Sequence, residues 1–185
     1  KITMWHRSDG SATTDTFTKW LCLASREWKE TIGSGNAIKW PIGMGARSGG
    51  GVIGVLRQAP GSIGYENYAY ALANVVPFAS LRNRHGRFML PSVASGTAAT
   101  TPSRSGFPRD VVGTEPIDGY PLSSFTYLLL YPDAKPELKA FIHWALTQGV
   151  KDEAPLMYSP LPPRVTNEAL AVVDGVKPNS HGARR

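Results

Sequence analysis

The sequence predicts an α/β fold with a largely parallel sheet, because strand-like segments alternate with helical ones along its 185 residues. Residues 2–7 read as a strand that ends at Arg7 and passes through the turn chemistry of Ser8-Asp9-Gly10-Ser11 into a helix. Across residues 13–26, Phe17, Trp20, Leu21 and Ala24 recur at helical spacing, the mark of an amphipathic helix.

The remaining elements follow in order. Ser11 and Thr13 are the natural caps of the first helix. Residues 37–41 read as a short extended segment, and the glycines of 43–51 as a flexible loop leading into a helix over 52–58. Pro60-Gly61 marks a turn before a strand at 62–65, with a small helix at 68–74 and a strand at 88–90. Residues 91–113 are rich in Ser, Thr, Gly and Pro and predict loop with at most one weak helix. Tyr120-Pro121 opens an apolar run to Tyr131 that reads as a buried strand. Residues 137–148 form an amphipathic helix with Gly149 as its stop, and a last helix covers 165–173.

Composition sets the class of molecule without choosing a function. Hydrophobic residues at 42% and charged residues at 18% suit a folded domain rather than a disordered chain. No apolar run approaches the ~20 residues that cross a bilayer. A formal charge of +6 favours anionic partners. The Lys and Arg residues are scattered rather than gathered on one aromatic-laced face, so nucleic acid is not an expected partner. Part of the charge lies in the tail of residues 181–185, which reads as poorly ordered. Cys22, between Leu21 and Leu23, reads as a buried thiol.

One segment gathers chemistry. Arg7, Asp9, Gly10, Ser11, Ala12, Thr13 and Thr14 bring a guanidinium, hydroxyls and backbone N–H groups to one helix start. Such a start offers unpaired donors and the positive end of the helix dipole to an oxyanion. Arg7 can engage two ligand oxygens through its planar fork, and Asp9 is its natural partner. An ordinary capped helix beside a surface Arg–Asp pair has the same local signature.

Other chemistries lack their residues. The glycine loop has neither the Gly-Lys-Ser/Thr ending of a P-loop nor dinucleotide spacing. His6, His85, His143 and His181 show no metal-ligand spacing, so neither a metal nor a cofactor is expected. No Gly-x-Ser-x-Gly elbow or acid–base constellation supports an enzyme, and no catalytic residue is assigned.

The segment His6-Arg7-Ser8-Asp9-Gly10-Ser11-Ala12-Thr13-Thr14 resembles the phosphate loop of periplasmic phosphate-binding proteins. Glu27-Trp28-Lys29, the run from Lys39 to Gly45, Pro60-Gly61-Ser62-Ile63-Gly64-Tyr65, Ala69-Tyr70-Ala71 and Tyr120-Pro121-Leu122-Ser123 follow in the order of that family. So do the apolar run ending at Tyr131, Phe141-Ile142-His143-Trp144-Ala145 and Tyr158-Ser159-Pro160-Leu161-Pro162.

The resemblance implies a type II periplasmic binding protein fold, incomplete in this chain. Residues 1–118 would be the phosphate-loop lobe lacking its first elements, and residues 119–185 a crossover strand and helices that pack on the other lobe. It implies inorganic phosphate as ligand, held by Arg7, Ser11, Ala12 and Thr13, with Asp9, Gly10 and Thr14 in support. Family members usually carry glycine at the position of Ala12, where alanine serves if its φ is negative.

By the same resemblance the first lobe's binding residues, including the carboxylate that accepts the phosphate proton, would lie upstream of this sequence. A missing N-terminal part is therefore an expected partner, as are the membrane subunits of an ABC transporter. An extracytoplasmic location is implied by the family alone, since residues 1–4 carry no signal-peptide pattern. The alternative is a structural or accessory subunit that keeps the fold without transport.

Overall fold

The computed structural model describes residues 2–100, 111–113, 116–131 and 133–175. The tail at 181–185, and residues 101–110 of the expected loop, lie outside them.

Three strands form the central sheet in the order β2-β1-β3, all parallel: β1 (Thr3–Arg7), β2 (Met44–Ala46) and β3 (Ser62–Ile63). Arg7 lies opposite Ala46, and Met4 opposite Ile63. Helices α1 (Ala12–Ala24) and α3 (Ser48–Gln58) leave from the carboxyl ends of β1 and β2, so both helix starts face the edge where α/β sheets hold ligands.

Two expectations about this sheet change. The strand beside β1 is Met44–Ala46, not residues 37–41, of which 38–40 have no regular structure. Glycine makes that pairing feasible. A Cβ at Gly43 would sit 2.9 Å from Met4 O, and one at Gly45 would sit 2.9 Å from Ser8 Cβ. The triple glycine is also not loop, because α3 begins at Ser48 and takes Gly49, Gly50 and Gly51 into its first turn.

The first helix ends sooner than its apolar spacing suggests. Ser25 is extended; it closes α1 through its N–H to Leu21 O and caps α2 (Arg26–Thr31) by accepting the Trp28 N–H. The fully buried residues of α1 are Thr14 and Thr18, at 1% and 0% exposure, while Leu23 is exposed. Thr18 satisfies its hydroxyl by donating to Thr14 O at 2.8 Å, which lets a polar side chain sit in the core. Val52 and Ile53 of α3 supply the apolar side of that core. Cys22 is only half-buried.

Beyond the sheet come α4 (Tyr68–Ala73), the antiparallel pair β4 (Leu81–Arg82) and β5 (Phe88–Met89), and α5 (Val93–Ala99). Helix α6 (Pro136–Thr147) runs through Gln148 and Gly149 into a 3-10 turn, and α7 (Pro163–Gly175) packs against α6.

The apolar run ending at Tyr131 is not a buried strand. Residues 123–131 have no regular secondary structure, and Leu128, Leu129 and Tyr131 are 65%, 95% and 81% exposed. A strand needs neighbours for its N–H and C=O groups, and among the described residues none pairs with this segment. The mixed α/β architecture with a parallel sheet is otherwise as its sequence pattern predicts.

Candidate anion site

The carboxyl edge of β1 fixes Arg7 from three sides. Its Nε and Nη2 donate to the two oxygens of Asp9 at 2.8 and 2.6 Å, a bidentate pair with the Arg7 side chain 14% exposed. Its backbone N–H donates to the Tyr65 hydroxyl at 3.1 Å. Its Nη1 lies 3.7 Å from Oε2 of Glu66.

Asp9 is held in turn by the start of α3. The Ser48 N–H, in a residue with φ of 64°, donates to Asp9 Oδ1 at 3.0 Å. The hydrogen bond from Arg7 and then that from Ser48 hold the Asp9 carboxyl far below its ordinary range. The same bond from Asp9 raises Arg7 above its already high value, so both charges are fixed at neutral pH.

The start of α1 supplies the neutral donors. Ser11 is extended and buried, its N–H donates to Asn36 O at 2.8 Å, and its hydroxyl oxygen accepts the Thr13 N–H at 3.1 Å. Ser11 Oγ is thus an N-cap acceptor whose own proton remains available to a ligand. Ala12 is exposed, is the first helical residue and is not among the residues of positive φ, so its amide can serve as a donor. Thr14 turns away: its hydroxyl pairs with Tyr65 OH at 2.7 Å inside the protein. Gly10 meets no steric demand, since a Cβ there would find nothing within 4 Å.

The predicted residues do not share one enclosed cavity. Arg7, Ser8 and Asp9 line a cleft of about 300 Å³ whose other side is Ile38 and Trp40. Ala12 lines a separate hollow with Asp15, Thr16 and Lys19 on α1 and Phe125 and Tyr127 opposite. Among the described residues no group of His, Cys, Asp and Glu is placed to hold a metal, and no helix is long and apolar enough to cross a membrane.

Sequence reasoning passes over Tyr65, Glu66 and Ser48. All three come from the neighbouring strand–helix units, and the parallel sheet brings them to Arg7. Tyr65 stands on stacked rings, with Phe17 at 4.6 Å and Trp40 at 5.8 Å between centroids, and burial pushes its phenol pKa up. The rule that parallel sheets gather function at their carboxyl ends singles out the residues after β3.

Fold and edge together define an α/β domain that carries a fixed Arg–Asp pair and a capped helix start after its central parallel strand. The chain belongs to the periplasmic binding protein (PBP) superfamily: its residues 1–148 match the PBP superfamily domain. Curated relatives carry a more specific name. The phosphate-binding protein PstS of Pasteurella multocida is 39% identical over 92% of this chain and 52% of its own length. The protein of that name from Xylella fastidiosa strain 9a5c is 33% identical over 91% and 49%, and that of Methanocaldococcus jannaschii 34% over 96% and 52%. The chain thus spans about half the length of these relatives.

Proposed function

We propose that the chain supplies one wall of an inorganic phosphate site in the solute receptor of an ABC phosphate transporter. The observation that carries this reading is the Arg7 guanidinium, fixed by Asp9 beside the capped start of α1. A fixed guanidinium and a helix start with unpaired amides are each suited to a tetrahedral oxyanion without a metal. On this reading Arg7, the Ser11 hydroxyl, the Ala12 amide and Thr13 are the ligand groups, as the family resemblance implies. The names of the relatives support phosphate as that anion and a binding role rather than an enzymatic one, and membership of the superfamily supports an extracytoplasmic place of work.

The facing wall comes from polypeptide equivalent to the other half of the relatives. Two surfaces support this. The segment ending at Tyr131 exposes Leu128 and Leu129, and α6 exposes Phe141 and Trp144 at 59% and 46%. Large apolar side chains so placed mark a contact surface. Calorimetric titration with phosphate tests the reading. The chain alone binds weakly, because one wall cannot exclude water, and addition of the missing part restores tight binding. A submicromolar dissociation constant for the chain alone overturns the two-wall arrangement.

A further inference from the structure

Glu66 has no place in the site as described so far, yet it is the most buried charged group at that edge. Its side chain is 6% exposed. Oε1 accepts the Asn67 N–H at 2.9 Å, but Oε2 is buried without a hydrogen-bond partner. The nearest cation is Arg7, whose Nη1 lies 3.7 Å away, at the corner of the guanidinium that Asp9 leaves free. The carboxylate also lies against α3, since a Cβ at Gly49 would sit 2.6 Å from Oε2.

Two carboxylates therefore share one guanidinium. Arg7, Asp9 and Glu66 together carry a net charge of −1, so an anion arriving at Arg7 meets neutral donors and a cation already over-neutralised by its own neighbours. Each further charge on the ligand is opposed by that excess, and low exposure weakens solvent screening of it. Hydrogen-bond donors alone do not distinguish a singly from a doubly charged oxyanion. A fixed excess of negative charge does.

We infer that Glu66 is a specificity-determining residue of the oxyanion site: its buried carboxylate, set on the free corner of Arg7, disfavours fully deprotonated oxyanions relative to protonated ones. This rests on the reading of Arg7 as an anion ligand. It adds a through-space charge effect to whatever acceptor the facing wall supplies for the ligand's proton.

The test is competition binding of phosphate and sulfate to the native protein with its facing wall, at mildly acidic pH, where phosphate is mainly singly charged. Glu66→Gln keeps the shape and removes the charge. The preference for phosphate over sulfate falls roughly ten- to fifty-fold, the size of one charge step over about 7 Å at an effective dielectric of about 20 to 40. A merely structural role would weaken both anions alike and leave the ratio unchanged, which overturns the inference. Glu66→Asp keeps the charge and retains most of the preference. Thermal denaturation of Glu66→Gln and Glu66→Asp beside the parent separates loss of fold from loss of charge, and a ratio that falls equally in both variants also counts against the inference. Arg7→Ala separates the two levels of argument. If it abolishes binding while Glu66→Gln leaves the ratio intact, the site stands and the role of Glu66 falls. If Arg7→Ala binds both anions as before, the site reading falls and takes this inference with it.

Discussion

Arg7 meets Asp9 fork to fork: Nε and Nη2 donate to the two carboxylate oxygens at 2.8 and 2.6 Å, leaving one Nη2 hydrogen and the Nη1 corner beside Glu66 without a hydrogen bond to Asp9. Arg7→Lys replaces that fork with a point charge that cannot serve Asp9 and a ligand in the same geometry. Loss of a charged hydrogen bond costs about 1.5–3 kcal/mol, so phosphate affinity falls roughly ten- to a hundredfold. Calorimetry on the protein with both walls checks this, and an unchanged affinity means that Arg7 does not touch the ligand.

Tyr65→Phe keeps the stacked rings and removes one oxygen. That oxygen accepts the Arg7 N–H and pairs with the Thr14 hydroxyl, and Thr14 is 1% exposed. Two polar groups lose their partner, and each buried orphan costs about 1–3 kcal/mol. The urea midpoint falls with no change in slope. A midpoint within error of the parent would show that Tyr65 does not hold the strand end.

How far the sequence could be read depended on the distance over which each interaction acts. The Ser11 cap and the Arg7–Asp9 pair lie within a few residues, so turn chemistry and helical spacing reveal them. Tyr65 reaches Arg7 across 58 positions, and only the parallel pairing of β3 with β1 creates that contact. Strand β2 was hidden by its glycines, which read as loop but permit close approach to Met4 and Ser8. The apolar run ending at Tyr131 was misread for a different reason: its residues have strand character, while pairing is a property of neighbours that a single segment does not encode.

Ser11 combines a cap with a ligand donor, and two substitutions separate them. Ser11→Ala loses the acceptor for the Thr13 N–H and costs about 1 kcal/mol of stability, whereas Ser11→Gly costs only a few tenths. Both remove the hydroxyl proton a phosphate oxygen would accept, so both weaken phosphate binding to a similar extent. Thermal denaturation and calorimetry on the same pair of variants give the two readouts. If affinity follows stability across the pair, Ser11 is a cap and nothing more.

Asp9 gives the site a defined response to acid. The Arg7 hydrogen bond, followed by that from Ser48, holds its folded carboxyl far below the ordinary 3.8. On acidification the unfolded chain takes up this proton first. The stabilisation is therefore complete above the ordinary value and is lost progressively as the pH falls below it toward the depressed one. Between about pH 5 and 8 Asp9 contributes no pH dependence at all. Asp9→Asn removes the titrating group and turns an amide N–H or a weaker acceptor toward Arg7. Its stability deficit against the parent is constant across that neutral range and narrows as the pH drops below about 4. Urea denaturation of both proteins on a common pH series reads the difference directly. Curves that stay parallel down to about pH 3 would mean that Asp9 titrates normally and that the fork to Arg7 is not held in solution.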